Sequence, residues 1–159
     1  MPKENGRLQS TIDYTSESDS DTRASDLYIA ESRIDELKTI RNDNFDFTRL
    51  VKLCEELNTA FQNGCVLTIP MLIRTITNHV PPIFNCKDFS RVANNYSWPR
   101  SQKNGITRLN NSLKDNADFN LHIQIRDKEI LPSLPSVDFR ADLDILISEI
   151  VRILRPDKT

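Results

Sequence analysis

Apolar residues recur at three- and four-residue intervals over most of this chain, and the interruptions divide it into helices. Leu27, Ala30, Ile34 and Leu37, with Arg41 extending the spacing, predict a first helix beginning at Ser25 or Asp26, whose side chains can cap free N–H groups. Asn42-Asp43-Asn44 breaks that pattern with turn residues. A second helix is expected from about Asp46 to Gln62, with Leu50, Leu53, Cys54, Leu57 and Phe61 on one face and Asn63-Gly64 as a C-terminal glycine cap. The third and most apolar runs from about Val66 to Val80, burying Ile69, Ile73, Ile76 and Val80. Pro70 belongs in its first turn or at a kink, and Pro81-Pro82 stops it.

A short helix from Asp88 to Tyr96 comes next, then a longer one from about Ser101 carrying Ile106, Leu109 and Leu113. Residues Leu121 to Arg126 alternate apolar and polar as a strand does. No second strand exists to pair with, short of one from a dimer partner, so helix is the reading adopted there. A last helix starts at Ser136 or Asp138 and buries Phe139, Leu143, Leu146, Ile147, Ile150, Val151 and Leu154. The expected fold is all-α, a bundle of five or six helices forming one domain over residues 26–156. Residues 1–25, which include Ser16-Glu17-Ser18-Asp19-Ser20-Asp21, have too few large apolar groups to offset the entropy of ordering and read as a flexible acidic tail.

Composition narrows the chemistry. The 159 residues include only three glycines, Gly6, Gly64 and Gly105, so there is no glycine-rich phosphate loop, and nucleotide-binding folds of the P-loop or Rossmann kind are excluded. Two histidines and three scattered cysteines, Cys54, Cys65 and Cys86, argue against a metal centre and a disulfide framework. The expectation is reduced thiols in a cytoplasmic protein, with no metal and no cofactor. The longest nearly apolar run, Cys65 to Ile73, is far short of a membrane span, and no signal peptide is expected.

The net charge of −2 conceals an uneven distribution. Between residues 87 and 114 lie Lys87, Arg91, Arg100, Lys103, Arg108 and Lys114 against the single acid Asp88, interleaved with Tyr96 and Trp98. Cations to meet phosphates and an aromatic ring to stack on a base would make an RNA-binding surface from Lys87, Arg91, Arg100, Lys103, Arg108 and Trp98. The plainer reading is a solvated face balanced by acids of neighbouring helices.

One constellation has the parts of a catalyst: Arg74, Asn78 and His79 on the third helix. Cleaving a phosphodiester through the RNA 2′-hydroxyl needs proton transfer, which histidine supplies, and charge stabilisation, which arginine supplies. The helix C-terminus is expected to favour the imidazolium of His79. Positions five apart on a helix differ by roughly 140° in direction, so Arg74 and His79 point apart, and a productive site calls for bending at Pro70 or a second copy of the helix. Asn78 lies nearly above Arg74. The structural alternative pairs Arg74 with Glu55 or Glu56 and leaves His79 capping carbonyls. His122 and Arg126 form a second polar pair with a surface role.

The helical layout, Asn63-Gly64 leading into Met71-Leu72-Ile73-Arg74, the Arg-x4-His spacing, and Leu121-His122 through Arg126 before a final apolar helix together resemble the HEPN superfamily over roughly residues 46–155. These are all-helical domains of prokaryotic toxin and antiviral systems. Residues 50–153 also resemble C-terminal domains of uncharacterised bacterial proteins, some linked to abortive infection. In catalytic HEPN members the arginine and histidine act across a dimer as a metal-independent ribonuclease. The resemblance implies a homodimer, with Arg74 on the scissile phosphate, His79 in acid–base work and Asn78 assisting. The residue after the arginine is commonly Asn, Asp or His in active members and is Thr75 here. The resemblance therefore points first to a dimeric interaction module, one component of a bacterial defence system with a second protein or RNA as partner, and second to an active endoribonuclease.

Overall fold

The computed structural model describes residues 27–155, and every described helix falls where an apolar stripe can close on its neighbours. Six α-helices are present: α1 (Glu31–Thr39), α2 (Thr48–Gln62), α3 (Thr68–His79), α4 (Phe89–Asn95), α5 (Arg100–His122) and α6 (Arg140–Leu154). Two 3-10 turns, Pro81–Phe84 and Pro135–Val137, join them, and the described residues contain no strand. The all-α bundle inferred from the apolar spacing is the observed fold. The acidic segment 1–25 and the expected caps at Ser25 and Asp26 lie outside the described residues.

Helices α1, α2, α3, α5 and α6 close a ring in which each packs on the next and α6 returns to α1, while α4 lies against α5. The stripes read from the sequence fill the centre. Ile69, Ile73, Ile76 and Val80 from α3, Leu57 from α2, and Leu143, Leu146, Ile147 and Ile150 from α6 have no solvent exposure. Each such side chain contributes about 1.5–3 kcal/mol on burial. Pro70 lies in the first turn of α3, where its missing N–H costs nothing. Gly64 takes the left-handed conformation (φ 65°) expected of a C-terminal glycine cap. Asp88 caps α4, its side chain accepting the Arg91 N–H at 2.9 Å.

Three boundaries differ from the sequence reading. The first helix starts at Glu31, not near residue 25, because Ile29 is held by side chains instead of helical bonds. Asn58 of α2 accepts the Ile29 N–H at 2.8 Å and donates to the Ile29 carbonyl at 2.9 Å. The hydroxyl of Tyr28 donates to the Val137 carbonyl at 2.6 Å and accepts the Phe139 N–H at 2.7 Å. The segment 27–30 thus bridges α2 and the start of α6 in non-helical form. Second, α6 begins at Arg140, with Asp138 accepting the Arg140 N–H at 3.2 Å from just outside the helix.

The third difference concerns residues 121–126, read as helix. Only Leu121 and His122 are helical, as the last residues of α5. Ile123 is already extended (φ −69°, ψ 127°), and residues 123–126 leave the bundle before the chain bends at Asp127 and Lys128. Alternating apolar residues cannot keep one helical face against the core, so no packing holds this stretch in helix.

Candidate functional site

Helix α3 lies between α2 and α5, and the two main residues of its polar face turn to different neighbours. Arg74 is half-buried and directs Nη2 to Oδ2 of Asp118 on α5, 3.7 Å away. Neither Glu55 nor Glu56, the carboxylates of the structural alternative, pairs with it among the described residues. Glu55 of α2 pairs with Lys38 of α1 at 2.9 Å instead. Asn78 and His79 are exposed at the C-terminal end of α3. Partial burial and the positive charge of Arg49 on α2 hold the His79 pKa below its ordinary value. This reverses the expectation from the helix terminus, because desolvation and a neighbouring cation both oppose the imidazolium.

The described chain does not bring Arg74 and His79 to a common point. Arg74 faces α5, whereas His79 sits in the field of α2, as the roughly 140° between positions five apart requires. The hydroxyl of Thr75 donates to the Met71 carbonyl at 2.9 Å, and that of Thr77 to the Arg74 carbonyl at 3.0 Å. Both threonines serve their own helix.

The basic stretch is dispersed. Trp98 is only 8% exposed, packs against Phe84 and Tyr96, and donates its indole N–H to the Val92 carbonyl at 2.9 Å. It has no free face on which a base can stack. Lys103 donates to the Ala93 and Asn94 carbonyls and so closes the C-terminus of α4. Arg108 grips the buried carboxylate of Asp142 through two hydrogen bonds, of 2.9 and 3.3 Å. Lys114 donates to the Ser90 hydroxyl at 2.9 Å, and Arg91 pairs with Asp88 at 3.2 Å. Lys87 and Arg100 are exposed without an ion-pair partner among the described residues. Lys87 and Arg91 share a cleft of about 660 Å³ with Asn85, Tyr96 and Arg152. Arg152, absent from the sequence reading, is bound to the Glu149 carboxylate at 2.7 and 2.8 Å. The i,i+3 spacing of Glu149 and Arg152 was its only signal.

The sequence reading also missed an apolar surface. Seven large apolar side chains are exposed among the described residues. Six of them, Phe119, Leu121, Ile125, Ile130, Leu131 and Leu134, lie on the end of α5 and the connection that follows. The cysteines are free thiols: Cys54 buried, Cys65 exposed and Cys86 half-buried. Burial pushes the Cys54 thiol up to about 12, so it serves the core as an apolar group. No described helix is long and apolar enough to cross a membrane.

No protein-family model matches the chain, and neither a curated protein nor a solved structure does.

Proposed function

We propose that this chain is a HEPN-like interaction and dimerisation module, one component of a bacterial defence system of the abortive-infection type. The observation that carries the association reading is the concentration of six exposed large apolar side chains within residues 119–134, beside a closed and buried core. Surfaces of this kind mark contact sites, since water penalises each uncovered apolar side chain. The defence role follows from the resemblance, and a cytoplasmic location from the odd number and wide spacing of the cysteines. Sedimentation equilibrium of the purified chain from about 0.1 to about 100 μM tests the module reading on the affinity scale of specific complexes. A dimer is expected, and a chain that stays monomeric across that range overturns it.

The state of His79 favours a second reading, a metal-independent endoribonuclease. An exposed imidazole whose pKa is held below the ordinary value suits removal of the proton from a 2′-hydroxyl as that oxygen attacks phosphorus and the 5′-oxygen leaves. Arg74, held by a long 3.7 Å contact to Asp118, is available to stabilise the crowded phosphate. Because the two side chains diverge within one chain, this activity depends on a second copy. Lys87, Arg91 and Arg100 remain the cations best placed to hold RNA, with Arg152 added to the cleft. Cleavage of mixed RNA in excess EDTA, abolished by His79→Ala, supports the enzyme. RNA left intact by a confirmed dimer overturns it.

A further inference from the structure

The connection between α5 and α6 is longer than the about two to eight residues usual between bundle helices, and long connections tend to carry function. It forms an arm in which every residue from Gln124 to Leu131 is exposed. Ile125 is 96% exposed and Ile130 80%, on either side of the bend at Asp127 and Lys128. The arm has internal order. Glu129 accepts the Arg126 N–H at 2.9 Å, and the Arg126 guanidinium lies 5.9 Å from the centre of the Phe119 ring. Both ends are tied down. Asp118, just before the arm, pairs with Arg74, and Tyr28 holds the Val137 carbonyl just after it. A secured arm that displays isoleucines to water is built to be covered.

The charge order identifies the cover. Across the bend the chain reads Ile125-Arg126-Asp127-Lys128-Glu129-Ile130, apolar at both ends with alternating charges between. Straightened at the bend and laid antiparallel on an identical copy about the midpoint of Asp127 and Lys128, the segment complements itself. Arg126 meets Glu129 of the second copy, Asp127 meets Lys128, and Ile125 meets Ile130. An isologous twofold contact requires this reciprocity, in which residue i meets j and j meets i. A partner of one charge sign would meet repulsion at half of these positions. Pairing across the twofold gives up the exposed 3.5 Å Arg126–Glu129 ion pair and the Arg126 N–H to Glu129 hydrogen bond within one chain, and re-forms the ion pair between chains.

We infer that the arm over residues 119–134 is the dimerisation element of this protein, pairing antiparallel with the arm of a second copy through Ile125, Ile130 and the four charged residues between them. The inference rests on the proposal that the chain is a dimerising module and names the surface that does it.

A matched pair of full-length variants tests it. One carries Arg126→Glu with Lys128→Glu, so that its arm is wholly acidic; the other carries Asp127→Lys with Glu129→Lys, so that its arm is wholly basic. Each alone is expected to raise the dimer dissociation constant about a hundredfold, and a 1:1 mixture to form a heterodimer within about tenfold of wild-type affinity. Only contacts between chains can be rescued by mixing. Ile125→Ala with Ile130→Ala, which leaves the charges untouched, is expected to weaken the dimer about tenfold or more while far-UV circular dichroism stays unchanged. If wild type dimerises and these variants do so equally well alone, or if mixing restores nothing, the arm assignment is wrong and the module reading stands. If wild type itself is monomeric, both fall.

Discussion

Helix α6 and the arm over residues 119–134 are both rich in large aliphatic side chains, yet they end in opposite environments. Leu143, Leu146, Ile147, Ile150, Val151 and Leu154 of α6 are all buried, whereas Leu121, Ile125, Ile130 and Leu131 of the arm are all exposed. The difference lies in period. On α6 the apolar positions recur with the helical turn and stack into one stripe that α1 and α5 cover. In the arm they alternate or flank a charged bend, so no helical face collects them and no strand within the described residues pairs with them. Apolar content decided how much surface needs covering. Its spacing decided whether the chain covers that surface itself.

Truncating one isoleucine in each region gives the largest contrast. Ile147→Ala opens a cavity where the side chain has no exposure and is expected to cost about 2–5 kcal/mol in urea unfolding. Ile125→Ala should change the stability of the monomer by less than about 0.5 kcal/mol. Equal losses at the two sites would mean that the arm packs onto the bundle in solution.

A smaller effect is expected where α6 presses against α5. A Cβ added to Gly105 would sit 2.7 Å from Oδ1 of Asp142 and 2.9 Å from Cδ1 of Ile145. Gly105→Ala should therefore lower stability by about 1–3 kcal/mol, although alanine favours helix over glycine. A stabilised Gly105→Ala protein would show that the two helices stand further apart.

The buried side of the comparison also carries a pH dependence. Hydrogen bonding to Arg152 holds the Glu149 carboxyl below its ordinary range, against the opposing effect of burial. A carboxyl lowered in the folded state contributes stability that is present above its unfolded pKa and is lost as pH falls through the folded one. Thermal midpoints measured from about pH 6 down to about pH 3 should fall less steeply for Glu149→Gln than for wild type. Parallel slopes would remove Glu149 from the acid transition.

The smallest change concerns no stability at all. In an NMR titration His79 should lose its proton at a pH below the ordinary histidine value, and Arg49→Ala should move that midpoint upward. A midpoint that ignores Arg49 would mean that burial alone lowers it.

Much of the bundle was legible in one dimension. The stripes of α2, α3 and α6, the Asp88 cap, the glycine at the end of α2 and the stop at Pro81-Pro82 depend on residues a few positions apart, where local geometry and solvent exclusion act together. The misread start of α1 depended on distant residues. Ile29 is kept out of α1 by Asn58, and Tyr28 acts on Val137 and Phe139, far along the chain. At the candidate site, the divergence of Arg74 and His79 followed from helix geometry alone. Their neighbours, Asp118 and Arg49, did not. The basic stretch looked continuous in sequence and is divided in space, because Lys103, Arg108 and Lys114 are each held by a partner from a packed element.

By itself, then, the sequence determined the fold class, the apolar face of nearly every helix and the directions in which the α3 side chains point, since all three are set by periodicity. Only the tertiary structure decided which charges neutralise one another, which way the pKa of His79 moves, and that Trp98 is inside. Those outcomes turn on distances between elements remote in sequence, and a pattern of residue types does not contain such distances.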